Sequence, residues 1–378
     1  MSSIYIHIPF CKQACYYCDF HFSTSLKRKP ELVDALCKEL VLRKKEVIGD
    51  VETIYFGGGT PSLLSKEELQ KIFQSIRENY AVSPEAEITL EANPDDLSEG
   101  KITSFYASGV NRLSIGVQSF FEEDLIWMNR SHTLLQADTA IKVAKQYFDN
   151  LSIDLIYGVP GMSDEKWLMN LNKALKYDIP HLSTYALTVE PRTALAKMIR
   201  QGKKEHVDDE KASRQYAMLV ETLTATGYIN YEFSNFGRAG YFSRNNTAYW
   251  FGKPYVGIGP SAHGFDGTHR YWNVRHNLKY IQAINRGNLS SERETLTPKD
   301  RYNEYIMTRL RTIWGVSRSE IKQKFGDFYV DFFEQEARAL FAKGLLVQEG
   351  DTVRIATSSK FLGDGISAEL FFLGTGKG

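Results

Sequence analysis

Three of the four cysteines in this chain of 378 residues lie close together, at Cys11, Cys15 and Cys18. Three thiolates on one short loop can hold three corners of an iron–sulfur cube and leave the fourth iron open to another ligand. A structural zinc ion is the alternative, because His7 or His21 would supply a further ligand. Closed zinc sites usually draw on two separated ligand pairs, and the sequence has no second pair, so the spacing favours the iron–sulfur cluster.

The remaining cysteine, Cys37, lies in the helical pattern ELVDALCKEL, where we expect it to be a small buried side chain. Four cysteines cannot crosslink a chain of this length, and a reducing compartment would not maintain disulfides. A thioredoxin-like pair is also disfavoured, because a third cysteine stands four residues before the Cys15–Cys18 pair.

Polar residues at the ends of predicted strands are the other candidates for chemistry. The turn Gly57-Gly58-Gly59-Thr60 follows a strand pattern, and glycine allows main-chain atoms to approach a ligand closely. Carboxylates at such positions can bind ribose hydroxyls, and an arginine can pair with the carboxylate of a ligand. The side chains concerned are Glu91, Gln118, Arg130 and Asp154.

Six strand patterns alternate with helical patterns over the first two-thirds of the chain. The predicted strands cover residues 4–10, 53–56, 87–94, 112–120, 151–160 and 181–187. Repeated strand–helix units predict a parallel sheet wrapped by helices. Polar residues lie at or near the C-terminal ends of five of these strands. A barrel builds its binding site from the ends of many strands, whereas an open sheet binds its ligand at the single point where the strand order reverses. We therefore expect an α/β fold with a partial (β/α)6 barrel that resembles a TIM barrel.

We expect three segments along the chain. Residues 1–236 would form the core barrel, and residues 237–295, rich in aromatic residues and glycine, would cover its mouth. Residues 296–378 contain three helical patterns and a hairpin with its turn at 349–351, which predicts a winged-helix-like α/β domain. The mixed charges of this last segment do not suit a surface that binds DNA.

The charge balance excludes broad classes of partner. Lys and Arg number 46, and Asp and Glu number 46, so the formal net charge is zero. Such a chain has no overall attraction for nucleic acid or anionic membranes. No apolar run is long enough to cross a bilayer, and the N-terminus lacks the pattern of a secretory signal. We expect a cytoplasmic protein with no integral membrane segment and no nucleic-acid partner.

The spacing CxxxCxxC after a first strand, with Tyr17 before the last cysteine, resembles the radical S-adenosylmethionine (SAM) superfamily. The resemblance implies a [4Fe–4S] cluster held by Cys11, Cys15 and Cys18, with SAM bound to the open iron. It also implies that the glycine turn meets the amino group of SAM.

Longer motifs resemble the coproporphyrinogen III dehydrogenase-like branch of that superfamily over nearly the whole chain. These motifs are YIHIPFCKQACYYCDF, GGGTPS, EANP, GVQSF, IDLIYGVPG and GIGPSAHGF. The resemblance implies that Tyr5, Gly58 and Glu91 contact the SAM on the cluster. The positions that match contacts to a second SAM are Tyr17, Gly59, Thr60, Gln118, Arg130, Asp154, Ala186 and His263.

Two departures separate the chain from the dehydrogenase itself. The dehydrogenase has a fourth cysteine where this chain has Phe20, and it has an N-terminal extension for which Cys11 comes too early. In both respects the chain resembles the heme chaperone HemW subgroup. That resemblance implies heme as cargo, with acceptor hemoproteins and an electron donor for the cluster as partners. It implies no dehydrogenase activity and leaves open whether the chain is an enzyme.

Two other functions stay open from the sequence: an oxygen-independent coproporphyrinogen III dehydrogenase and a zinc-stabilised interaction module. The heme-associated motif of the subgroup, HNxxYW, reads NNTAYW here, so Asn245 replaces the histidine. Asparagine is a poor ligand for heme iron. The remaining candidate heme-binding residues are Asn246, Tyr249, Trp250 and His276. With Asn245 in place of the histidine, His263 and His276 are the candidates for the ligand of the heme iron.

Overall fold

The structure is a computed structural model, and it describes residues 2–374. Its centre is a set of six mutually parallel strands joined by helices, as the sequence predicts. The strands β1 to β6 are Ser2–Ile8, Val51–Gly58, Val82–Ala92, Arg112–Gln118, Asn150–Tyr157 and His181–Ala186. The helices α1 to α8 are Lys29–Leu42, Lys66–Asn79, Glu99–Ala107, Glu122–Met128, Leu134–Ala144, Asp164–Lys176, Ala194–Arg200 and Asp209–Ala225.

The strand β4 illustrates how these strands are built. All seven of its residues are buried, which is typical of a parallel sheet covered on both faces. Its apolar residues belong to the hydrophobic core, whereas Ser114, Gly116 and Gln118 alternate with them and line an internal cavity. Because side chains alternate across a strand, this pattern directs polar groups inward and apolar groups toward the helices.

Further strands extend the sheet at both edges, so the barrel is partial, as predicted. Beyond β6 lie β8 and β7, and beyond β1 lie β9, β10, β11 and β12 in that order. The strands β7 to β12 are Ile229–Glu232, Asn235–Gly237, Tyr255–Ile258, His263–Phe265, His269–Asn273 and Ser291–Thr295, with helices α9 at Arg244–Trp250 and α10 at Asn277–Asn285.

The strands of the segment 237–295 lengthen the sheet beyond β1. Its strand β9 pairs in parallel with β1 and lengthens the sheet sideways. No described residue of this segment lines the cavity at the mouth. The physical reason is that β1 has a free edge, which an additional strand can satisfy with main-chain hydrogen bonds.

The C-terminal segment forms a second hydrophobic core around residues such as Tyr302, Ile306, Phe333 and Val353. Phe233, in the turn between β7 and β8, also packs into it. The expected end of this segment at 375–378 lies outside the described residues. Its elements are α11 at Pro298–Leu310, β13 at Val316–Ser317, α12 at Arg318–Phe325, α13 at Asp327–Ala342, β14 at Leu346–Glu349, β15 at Thr352–Ile355 and α14 at Gly363–Glu369.

This order of helices with a small antiparallel sheet, β13-β15-β14, is the winged-helix-like arrangement that the sequence predicts. The turn of the predicted hairpin lies between β14 and β15. Across residues 2–374, no helix has the length and apolar character needed to span a membrane.

A buried ion pair joins α1 to the sheet extension. Glu39 and Arg43 are almost inaccessible, and Arg43 Nε donates to Glu39 Oε1 at 2.7 Å. Glu39 also accepts hydrogen bonds of 2.6–2.8 Å from Asn273 Nδ2, the Gly259 main-chain N–H and the Tyr280 hydroxyl. Both carboxylate oxygens are thus occupied, as a buried charge requires.

We expect Glu39→Ala to lower the free energy of unfolding by about 3–5 kcal/mol, because the buried donors that Glu39 accepts from would lose their acceptor. Arg43 would then be paired only with Glu46, which is exposed. Urea denaturation measures this change. The control is Glu31→Ala on the same helix, which removes an exposed pair with Arg28 and should cost about 1 kcal/mol or less. A cost no larger than that of the control would contradict the structural importance of the buried pair.

Candidate functional site

A cavity of about 830 Å³ opens at the carboxyl ends of the parallel strands. This volume is typical of small-molecule sites. We term it the cluster cavity, because the cysteine loop forms one of its walls. Twelve of the fourteen residues predicted to contact the cluster or SAM line it, namely Cys11, Cys15, Tyr17, Cys18, Gly58, Gly59, Thr60, Glu91, Gln118, Arg130, Asp154 and Ala186.

The cysteine loop follows β1 and is closed at its base by main-chain hydrogen bonds. Cys11 N donates to the Ser23 carbonyl at 3.1 Å, and Ser23 N donates to the Pro9 carbonyl at 2.9 Å. Within the loop, Cys18 N donates to the Cys15 carbonyl at 3.3 Å. The loop therefore begins and ends at the same point of the rim, and its three free thiols lie on one short arc.

The chemistry of these thiols fits an iron–sulfur cluster. Burial raises the pKa of Cys11 and raises the pKa of Cys18 to about 11, so metal binding would release protons. Within residues 2–374, no three His, Cys, Asp or Glu side chains are grouped as the ligands of a single metal ion. In a cubane each thiolate binds a different iron atom, so the sulfurs surround the cluster and need not converge on one point.

The two histidines considered as zinc ligands are engaged elsewhere. His7 Nε2 bonds to the His21 carbonyl at 2.9 Å, and His7 Nδ1 bonds to the Tyr5 hydroxyl at 3.2 Å. His21 Nε2 bonds to Asn277 Oδ1 at 2.7 Å. Neither histidine lines the cluster cavity. Neither His7 nor His21 is therefore placed to be the fourth ligand of a zinc ion bound by the three cysteines.

The glycine turn packs directly against the base of the cysteine loop. Gly58 has a φ of +103°, and a Cβ at this position would lie 2.3 Å from the His7 ring. A Cβ on Gly59 would lie 2.6 Å from the Ile8 carbonyl oxygen. Glycine is therefore required here by backbone conformation and close packing. From the sequence alone, the only reason for these glycines was that they let main-chain atoms approach a ligand closely.

Two half-buried carboxylates face the cavity from β3 and β5. Glu91 accepts hydrogen bonds from the Tyr55 hydroxyl at 2.7 Å and from Gly58 N at 3.2 Å, and Asp154 accepts one from the Ser114 hydroxyl at 3.1 Å. Burial raises the pKa of Glu91 to about 7 and that of Asp154 to about 6, although these hydrogen bonds oppose the shift. Both carboxylates can accept further hydrogen bonds from a ligand.

Arg130 contacts one of the thiols. Its Nη1 donates to Cys15 Sγ at 3.4 Å, and its Nη2 donates to Asn93 Oδ1 at 2.6 Å and to the Gly116 carbonyl at 2.9 Å. Its Nε is buried without a hydrogen-bond partner among the described residues. A buried donor without a partner is costly, so this N–H suits an acceptor that a ligand brings, such as a carboxylate.

Known proteins resemble this chain over nearly its whole length. The radical SAM superfamily profile matches residues 5–174, and the HemN C-terminal domain profile matches residues 296–356. The heme chaperone HemW of Bacillus subtilis (strain 168) is 34% identical over 371 residues, which cover 96% of this chain and 97% of that protein. HemW of Escherichia coli (strain K12) is 35% identical over 370 residues, 95% of each chain. The chain belongs to the HemW family.

A solved structure supports the fold. The radical SAM enzyme coproporphyrinogen III oxidase (HemN) from Escherichia coli superposes with a TM-score of 0.85 at 24% sequence identity. The match covers 98% of this chain and 90% of that chain. The likeness shows a radical SAM core followed by a C-terminal domain.

Several residues that the sequence did not single out also line the cluster cavity of this HemW-family chain. Ser114 and Gly116 share the inner face of β4 with Gln118, so the period of two in a strand would have identified them. Arg311 and Lys360 reach the cavity from the C-terminal segment, and burial lowers the pKa of Lys360 to about 8. No local pattern in the sequence connects these two residues with the cysteines.

A second cavity, of about 800 Å³, adjoins the cluster cavity, and Asp19 and Phe20 line both. It lies between the sheet extension, the end of the cysteine loop and the C-terminal segment. Tyr5 and His263, the two predicted SAM contacts that do not line the cluster cavity, line this one. His263 lies here because β10 is antiparallel and lies outside the set of strands whose carboxyl ends form the rim.

The structure separates the residues of the heme-associated motif. Tyr249 and Trp250 line the second cavity. Asn245 is 1% exposed and lines neither cavity. Its main-chain N–H donates to Glu87, and its Oδ1 accepts a hydrogen bond from Thr53 at 3.0 Å. The position that carries histidine in the family motif is therefore directed into the sheet packing in this chain.

Asn246 and His276, the other two candidate heme-binding residues, also line neither cavity. Asn246 N donates to the Ser243 side chain at the start of α9. His276 precedes α10, and its Nδ1 accepts a hydrogen bond from Lys279 N at 3.3 Å. Asn246 and His276 thus form hydrogen bonds at the N-terminal ends of α9 and α10.

We expect Glu91 to make stability fall as the pH rises. Its folded-state pKa is raised from the ordinary 4.5 to about 7, so the folded chain holds a proton that the unfolded chain releases. Glu91→Gln removes this titration, and the variant should gain stability relative to wild type between about pH 5 and about pH 8. Urea denaturation at both pH values measures the gain.

The matched control for this experiment is Glu99→Gln, because Glu99 is an exposed carboxylate in the first turn of α3. This variant should show no comparable gain. A difference between Glu91→Gln and wild type that stays constant with pH would contradict the raised pKa of Glu91.

Proposed function

We propose that this chain binds heme and delivers it to acceptor hemoproteins, and that it carries a [4Fe–4S] cluster and SAM in the cluster cavity. The observation that carries the proposal is that three free thiols, a glycine turn and two half-buried carboxylates line one cavity. Full-length similarity to the HemW family supports the same function. Heme enters the proposal because those relatives are named heme chaperones.

Cys11, Cys15 and Cys18 would hold the cluster. When bound, a cluster with three protein ligands supplies one-electron chemistry and an open coordination position. The contact of Arg130 with Cys15 Sγ places a positive charge beside a ligand sulfur. Hydrogen bonds to cluster sulfurs tune the reduction potential, so Arg130 would favour the reduced cluster. A separate electron donor would be needed to reduce it.

The charge of the cluster cavity suits SAM, which carries a sulfonium, an ammonium and one carboxylate. Glu91 and Asp154 would accept hydrogen bonds from its amino and ribose hydroxyl groups, and the unpaired Nε of Arg130 would donate to its carboxylate. The carboxylates that line this cavity outnumber the cations, since Asp19, Glu91, Asp154, Glu190 and Asp364 face Arg130, Arg311 and Lys360.

Cys15→Ser tests the cluster. After anaerobic reconstitution, wild type should contain about four irons and four acid-labile sulfides per chain. The variant should lose most of both, because one corner of the cube lacks its thiolate. Chemical analysis for iron and sulfide measures the loss.

Cys37→Ser is the control, because Cys37 lies on α1 and outside the cluster cavity, and it should retain wild-type iron and sulfide. Stoichiometric zinc without sulfide in the wild-type chain would contradict the cluster. That result would support the zinc-stabilised interaction module instead.

A second experiment tests heme delivery. The heme-loaded chain should restore the activity of a heme-free acceptor hemoprotein, with the Soret band moving from donor to acceptor. The same chain should not rescue heme synthesis in a strain that lacks coproporphyrinogen III dehydrogenase. Rescue of that strain, with no heme transfer, would overturn the chaperone in favour of the dehydrogenase.

A further inference from the structure

We propose that the second cavity is the heme site of this chain, with His263 as the axial ligand of the iron and Arg301 bound to a propionate. The proposal rests on the proposed function and names the place and the groups that would bind the cargo. It depends on four observations: the charge of the cavity, its unpaired donors, its aromatic walls and the position of one histidine.

The charge of the second cavity is opposite to that of the cluster cavity. Six cationic side chains line it, against two carboxylates, although the chain as a whole has no net charge. A tetrapyrrole with two propionates would therefore be attracted to the second cavity, and the cationic SAM to the cluster cavity. The lining cations are Lys253, Arg270, Arg275, Arg301, Arg309 and Lys324, and the carboxylates are Asp19 and Glu304.

Two buried donors in the second cavity lack partners. The Nε of Arg301 and the Nε1 of Trp250 are both buried without a hydrogen-bond partner among residues 2–374. Four other cations of the lining are in ion pairs: Arg270 with Glu304 at 2.8 Å, Arg275 with Asp19 at 3.5 Å, and Arg309 and Lys324 with Glu320 at 2.5 and 2.6 Å. An unsatisfied buried donor costs free energy. The guanidinium group of Arg301, which lines the cavity, would donate charge-assisted hydrogen bonds to a carboxylate of the ligand.

Flat apolar surfaces complete the cavity. Tyr249 and Tyr255 pack edge to face with their ring centroids 4.6 Å apart. Aromatic side chains provide large apolar area and can pack against the face of a conjugated macrocycle. The volume of about 800 Å³ is within the range of cavities that bury a cofactor. The aromatic lining consists of Tyr249, Trp250, Phe251, Tyr255, Phe265 and Phe325.

Three of the eight histidines line the second cavity, and His263 is the one whose two ring nitrogens make no hydrogen bond to another residue among 2–374. Both ring nitrogens of His7 are hydrogen-bonded, and the Nε2 of His21 is held by Asn277. The ring of His263 is solvent-accessible and belongs to a strand that lines the cavity. Burial and nearby Arg270 lower the pKa of His263, which favours the neutral imidazole that ligates metals.

The backbone beside His263 is strained. Ser261 has a φ of +65°, which is unusual for a residue other than glycine, and it lines the same cavity. Gln118, which lines the cluster cavity, has a φ of +67°. Such conformations are unfavourable for residues other than glycine and are often found at functional sites. The positive φ of Ser261 agrees with a binding function for the turn that leads into His263.

The axial ligand is tested by His263→Ala in the full chain, loaded anaerobically with ferric heme. The variant should lose the absorption and electron paramagnetic resonance spectra of histidine-ligated heme, and it should bind heme at least about 10-fold more weakly. Added imidazole should restore the spectra, because it replaces the missing ring. The matched control is His206→Ala, since His206 is exposed and outside both cavities.

The propionate contact is tested by Arg301→Gln. This variant should lose about 10-fold or more in affinity for heme, because a charge-assisted hydrogen bond is removed. It should keep wild-type affinity for heme dimethyl ester, which has no free carboxylate. Arg338→Gln, at an exposed position of α13, is the control and should bind both ligands as wild type does.

The outcomes separate this inference from the function on which it rests. If wild type binds heme and both His263→Ala and Arg301→Gln retain its spectra and affinities, the second cavity is not the heme site. If wild type binds no heme under these conditions, the proposed function is overturned as well. Loss of the histidine spectrum in His263→Ala, with rescue by imidazole, would establish the ligand.

Discussion

The contact between the glycine turn and the start of the cysteine loop determines where the site can form. The main-chain N–H groups of Gly59 and Thr60 donate to the carbonyls of Ile8 and Phe10 at 3.0 and 2.7 Å. The turn after β2 is therefore hydrogen-bonded to the end of β1, where the cysteine loop begins. A side chain at Gly59 would collide with these carbonyls, so glycine at this position is needed for the packing that places the cysteine loop.

The chain has no net charge, but its two adjacent cavities are lined by an excess of opposite charges. The cluster cavity holds an excess of carboxylates, and the second cavity holds an excess of arginine and lysine. Asp19 and Phe20, just after the third cysteine, form part of both walls. In the proposed arrangement a cationic cofactor and an anionic cargo occupy neighbouring sites without competing for one, because each cavity attracts the charge that the other repels.

The second cavity exists because the sheet continues past β1. Strand β9 pairs with β1 in parallel, and β10 returns so close to it that a Cβ on Gly257 would lie 1.8 Å from the His263 carbonyl oxygen. The buried pair of Glu39 and Arg43 joins this extension to α1. The strand that carries His263 is thus packed against β9 and forms part of the extended sheet.

The sequence alone determined the order of strands and helices, the group of three cysteines and twelve of the residues that line the cluster cavity. It did so because polar residues at the ends of parallel strands meet at one rim whatever the details of packing. Only the tertiary structure decided that 237–295 extends the sheet, that Asn245 is buried against Thr53, and that Arg301 and Lys360 face cavities. These outcomes depend on which sheet edge a strand joins and on how a second hydrophobic core docks. Such contacts between distant residues leave no local pattern in the sequence.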